Sequence, residues 1–151
     1  MPEMDDQGFM REALKEARLA LAQGEVPVGA VLVRDGKILA RGHNTREQDK
    51  TPLGHAELLA IERGCALLGD WRLTGCTLYV TLEPCPMCAG ALIQARVERI
   101  VFGAKDEKAG CCGTVMDLTH VPFGHNPRVT RGVLAGECAG LLAQFFAGMR
   151  G

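Results

Sequence analysis

The chain has 151 residues, a formal net charge of −1 and a hydrophobic fraction of 47%. That length fits one domain spanning 1–151, and that apolar content excludes a disordered chain and suffices for a packed core. A charge so close to zero excludes a general, charge-driven nucleic-acid binder, and no apolar run approaches the ~18 residues of a membrane span.

The start, MPEMDDQGFMREALKEA, is acidic and amphipathic. It lacks the basic and apolar regions of a secretory signal, so a cytoplasmic protein is expected. From about Asp6 to Gly24, Met10, Leu14, Ala17 and Leu21 recur at helical spacing, with Gly24 as a C-terminal stop. Val28–Val33 and Lys37–Arg41 are strand-like runs around Asp35-Gly36, a strong hairpin signal. His55 opens a second helix whose buried stripe is expected to be Leu58, Ile61, Cys65 and Leu68, ended by Gly69. Cys76–Thr81 reads as a buried strand. Pro86 opens a third helix to about Arg96, since proline is tolerated in a first turn, and Arg99–Gly103 is a further strand. The glycine- and proline-bearing stretch 104–129 predicts one short helix near Val115–Thr119. A last strand near Val129–Val133 follows, and then a helix over Gly136–Met149 with Cys138, Leu141, Leu142, Phe145 and Met149 on one face. Helix, hairpin, then alternating strands and helices give an α/β fold. We expect three α-β-α layers around a mixed sheet of about five strands.

The chemistry is concentrated in His55-Ala56-Glu57 and Pro84-Cys85-Pro86-Met87-Cys88. Cys85 and Cys88 are three apart, so at a helix start they face one way. A helix N-terminus favours thiolate over thiol. His55 sits at the other expected helix start. A His-Cys-Cys set suits one zinc ion per subunit and leaves its fourth position for water. H-x-E followed by P-C-x-x-C is the motif of zinc nucleobase deaminases. On this reading Glu57 takes a proton from the zinc-bound water and delivers protons to the substrate ring and leaving amine. A closed structural site is the rival, with Cys65, Cys76, Cys111 or Cys112 as fourth ligand. Glu57 has no use in such a site. Seven cysteines are an odd number, so a disulfide framework is the poorer reading.

With Glu25-Val26-Pro27-Val28-Gly29-Ala30-Val31, Asn44, Thr81-Leu82-Glu83-Pro84-Cys85, Met87-Cys88-Ala89-Gly90-Ala91, Val101-Phe102-Gly103-Ala104, Met116-Asp117 and Phe145-Phe146, nearly the whole chain resembles the bacterial tRNA-specific adenosine deaminases of the cytidine deaminase superfamily. The zinc motif alone specifies the superfamily; the flanking pieces narrow it. The resemblance implies a cytidine-deaminase-like fold, a homodimer, and conversion of adenosine to inosine at the wobble position of a tRNA anticodon stem-loop. It implies that Asn44 hydrogen-bonds a flipped base and that Val28, Ala56, Leu82 and Pro84 wall its pocket. It also points to RNA contacts from Asp106, Lys108, Phe146 and Arg150. Segment 120–128 differs in length from the family pattern. Ending at Gly151, without a longer basic extension, is expected to weaken RNA affinity. His43 is expected at a strand end, His125 in a loop, Cys111 and Cys112 as packed thiols, and Trp71 in packing. A free-base or nucleoside deaminase of guanine or cytosine type is the nearest alternative, and a non-enzymatic zinc-stabilised binding module a further one.

Overall fold

The computed structural model describes residues 4–150, and of Arg150 the backbone alone. Helix α1 (Asp6–Ala22) starts where the Asp5 side chain accepts the Gly8 N–H, an N-cap. Strands β1 (Gly29–Arg34) and β2 (Lys37–His43) pair antiparallel. Their turn puts Asp35 at φ 52° and Gly36 at φ 74°, the left-handed pair that a two-residue hairpin requires. Helix α2 (Arg46–Asp49), helix α3 (Ala56–Leu68), strand β3 (Cys76–Leu82), helix α4 (Pro86–Gln94) and strand β4 (Arg99–Ala104) follow. A 3-10 turn at Leu118–His120, strand β5 (Arg128–Thr130) and helix α5 (Ala135–Arg150) complete the chain.

The sheet has five strands in the order β2-β1-β3-β4-β5. β1 is antiparallel to both neighbours, whereas β3-β4 and β4-β5 are parallel. The mixed sheet expected from the hairpin and the later alternation is therefore present.

Side chains alternate across the sheet. Ala30, Leu32, Leu78, Val80, Ile100 and Phe102 join a core under α3 and α4; Val31, Val33, Tyr79 and Val101 join one under α1 and α5. This is the three-layer arrangement, with period-2 strands feeding two separate helix layers. On the first side α3 lies close to β2. A Cβ at Gly42 would meet the backbone oxygen of Ala56, so only glycine lets the start of α3 sit there.

Several expectations need correction. α3 buries Ala56, Glu57, Ala60 and Gly64 most deeply. Ile61, Cys65 and Leu68 pack at the core's margin only partly buried, because the close approach to the sheet admits only small side chains. Met149 is 70% exposed, since the last turn of α5 runs beyond the sheet. Trp71 is exposed rather than packed; the guanidinium groups of Arg72 and Arg96 lie over its ring at 5.2 and 5.8 Å. The short helix of segment 104–129 falls at Leu118–His120, and the last strand at Arg128–Thr130. α2 was not anticipated.

Candidate active site

The topology gathers one edge of the sheet. Because β1 runs against β3, the start of β1 lies beside the ends of β2 and β3, with Gly29 opposite His43 and Ala30 opposite Val80. Parallel β4 brings Ala104 beside Leu82. Val28, Asn44, Glu83 and Lys105 therefore leave the sheet together. Crevices at the carboxyl ends of such strands are where α/β sheets bind ligands.

Two helices begin at this edge. His55 is the N-cap of α3 and Cys85 the N-cap of α4, with Pro86 in the first turn. The His55 Nδ1 lies 3.7 Å from Cys85 Sγ and 3.4 Å from Cys88 Sγ, and all three donor atoms fall within 4.8 Å of one another. A tetrahedral ion with bonds of about 2.3 Å to sulfur and about 2.0 Å to nitrogen sets such separations near 3.5 Å. The donors thus fit a zinc-sized cation. Cys65, Cys76, Cys111 and Cys112 do not join this group among the described residues.

The electrostatics match. Sharing a proton with Cys88, and the neighbouring His55, pull the Cys85 thiol down to about 4. The hydrogen bond to Cys85 raises His55. Cys88 is pushed up by its hydrogen bond to Cys85 and by burial, so the pair retains one proton that a bound cation would displace. Glu57, 3% exposed, is pushed up to about 7 by burial.

His55, Glu57 and Cys85 border a cavity of about 560 Å³ that is also lined by Val28, Asn44, Leu82, Asp106, Lys108 and Phe146. Asn44 is held firmly. Its Oδ1 accepts the Ala56 N–H at 2.9 Å, and its own N–H donates to the Val28 carbonyl. With the amide oxygen engaged, the Nδ2 donor remains for a ligand. Ala56 and Pro84 do not border the cavity. Ala56 is fully buried in the core under α3, and the carbonyl of buried Pro84 accepts the Cys111 N–H. Asp106 Oδ1 accepts the N–H groups of Lys108 and Ala109, so that carboxylate shapes its own loop. The Arg150 side chain lies outside the described residues.

The other singled-out residues take structural places. His43, at the end of β2, meets Glu16 and Gln23. His125 binds the Val97 carbonyl. Cys111 and Cys112 are buried thiols.

Sequence reasoning missed Val26, Arg46, Leu142 and Lys105, which also line the cavity, and two buried glutamates. Glu25 accepts the Glu47 and Gln48 N–H groups, fixing α2 and with it Arg46. Glu83 accepts N–H groups from Asp106, Cys112 and Thr114. The one available signal was their position, each leading into a stretch already singled out.

Comparison with known proteins places these features in context. Residues 4–148 match the model of the MafB19-like deaminases. The tRNA-specific adenosine deaminase of Bacillus subtilis (strain 168) is 55% identical over 96% of this chain and 91% of its own. That of Streptococcus pyogenes serotype M18 (strain MGAS8232) is 45% identical over 91% of this chain and 87% of its own. A structure solved in a study of A-to-I editing by tRNA:A34 deaminases superposes with a TM-score of 0.85. It shares 44% identity and covers 89% of this chain and 98% of the other. A guanine deaminase from Bacillus subtilis gives a TM-score of 0.65 at 38% identity, covering 68% and 66%.

Proposed function

This chain belongs to the tRNA-specific adenosine deaminases, within the MafB19-like deaminases, and from that premise we propose that it converts adenosine to inosine at the wobble position of a tRNA anticodon. The observation that carries the reading is a buried Glu57 beside a three-ligand donor set, at a cavity whose rim is formed by segment 105–108 and Phe146. A closed structural site would bring a fourth protein ligand and would have no role for the carboxylate.

His55, Cys85 and Cys88 hold one zinc ion per subunit. Zinc with three protein ligands lowers the pKa of a water in its open position toward neutrality. Glu57 accepts a proton from the attacking water, passes protons to the purine ring nitrogen and to the departing amine, and ammonia leaves. Asn44 donates from Nδ2 to an acceptor on the base edge, while Val28 and Leu82 flank the base. A target base inside a stem-loop must be turned out to reach this floor. Lys108 and Phe146, at the mouth, meet the flanking nucleotides by charge and stacking. Arg150 joins them from the end of α5, and Asp106 contributes through the loop it shapes. The active species is a homodimer, one domain per subunit, working in the cytoplasm. Exposed Leu53, Val115 and Met116 supply apolar surface for the subunit contact. No described helix is long and apolar enough to cross a membrane.

The test is deamination of a tRNA transcript bearing adenosine at the wobble position, read by reverse transcription as an A-to-G change. Free guanine, cytosine and adenosine run beside it, with Glu57→Ala as the control. Inosine at that position alone, lost by at least about 10²-fold in the control, is expected. Ammonia from a free base with unchanged tRNA would move the protein to the small-substrate deaminases.

A further inference from the structure

Glu83 is 2% exposed, and among the described residues no lysine, arginine or histidine forms an ion pair with it. A carboxylate is expensive to bury unless its oxygens are satisfied. Here four donors do so. Oε1 accepts the Asp106 N–H at 3.1 Å and the Thr114 hydroxyl at 2.5 Å; Oε2 accepts the Cys112 N–H at 3.0 Å and the Thr114 N–H at 3.1 Å. All four belong to residues 106–114, which carry no long helix or strand to hold them. The backbone adds to the grip. The Glu83 N–H donates to the Ala104 carbonyl, and the Cys111 N–H donates to the Pro84 carbonyl. Gly110 closes over the carboxylate so tightly that a Cβ there would lie 2.5 Å from Oε1.

This loop carries Lys105 and Lys108 on the cavity rim. Glu83 ties it to the strand end that leads into Cys85, so rim and floor share one anchor. We propose that Glu83 is a positioning residue for the RNA substrate, fixing the rim at the height where its lysines meet the nucleotides flanking the target base. It takes no part in proton transfer. The proposal rests on the tRNA-deaminase reading above.

Glutamine is isosteric but turns one acceptor oxygen into an NH₂ that faces N–H donors. Losing a hydrogen bond to a charged group corresponds to roughly tenfold or more. In zinc-loaded Glu83→Gln we expect the KM for tRNA to rise about tenfold, with kcat within about threefold and zinc still near one per chain. Thr114→Val removes only the hydroxyl donor and should raise KM about threefold without disturbing the fold. Glu16→Gln, a buried carboxylate on α1 away from the cavity, should leave KM unchanged. Amide hydrogen exchange supplies a readout independent of activity. Protection of Asp106, Cys112 and Thr114 should fall at least about tenfold in Glu83→Gln, while strand amides of β3 keep theirs. A fall in kcat at constant KM, or zinc loss in step with activity, would overturn the proposal. So would unchanged KM in Thr114→Val, or unchanged exchange at the three amides. A wild-type enzyme inactive on tRNA would refute the functional reading alone and leave the exchange result to decide whether Glu83 holds the loop.

Discussion

Asn44 does two jobs with one amide. Its oxygen caps the start of α3 at the Ala56 N–H, and its nitrogen is left for the base. Asn44→Asp keeps the acceptor and removes the donor, so we expect an unchanged melting temperature and a kcat/KM lower by about tenfold or more. Asn44→Ala loses both and should cost about 1 kcal/mol of stability as well; thermal denaturation beside kinetics separates the two. Asp6 offers a pH-dependent counterpart away from the site. Its carboxylate accepts two hydrogen bonds from Arg99, at 3.0 and 2.6 Å, and one from Tyr79 at 2.7 Å. The Arg99 contact holds its pKa below the ordinary 3.8. A depressed carboxyl contributes stability that is full above the unfolded-state value and is lost as pH falls through the folded one. The gap in melting temperature between wild type and Asp6→Asn should therefore stay constant from pH 7 to about 5 and close below 3.8.

At the level of elements, α4 is held by fully buried Leu92 and nearly buried Ile93 beneath the floor of the site. Leu92→Ala should cost roughly 2–5 kcal/mol in denaturant unfolding. α1, the hairpin, β3, β4 and the starts of α3 and α4 were legible because local rules dictate them: period, an Asp-Gly turn, and a proline in a first turn. The stripe of α3 was misread because helical spacing marks the large apolar residues, whereas close contact with the sheet chooses Ala60 and Gly64. α2 escaped because its N-terminus is organised by Glu25, twenty residues upstream, and no local pattern encodes a cap supplied from so far away. Segment 104–129 was opaque for the same reason, since Glu83 organises it from outside. The metal ligands and Glu57 were readable because metal chemistry restricts both residue type and spacing. Ala56 and Pro84 were assigned to the pocket by resemblance, yet they sit behind its walls.

For the molecule as a whole, the net charge of −1 limits how RNA can be held. Arg46, Lys105 and Lys108 are the lysine and arginine side chains lining the cavity among the described residues. Three contacts to a single-stranded phosphate backbone predict a slope of log affinity against log salt of about −2. Filter binding from 50 to 200 mM salt would measure it, and a slope beyond about −4 would require a basic surface elsewhere. The two cores on either side of the sheet have a consequence for how this protein can vary. They are separate clusters, and the partly buried residues touching both are Leu82 and Leu142. Distant changes with no shared partner combine additively. A lineage can therefore improve packing beneath α1 without altering the effect of substitutions beneath α4. Epistasis should concentrate at Leu82 and Leu142, and both line the catalytic cavity. Sequence drift in either core then reaches substrate choice through those two leucines.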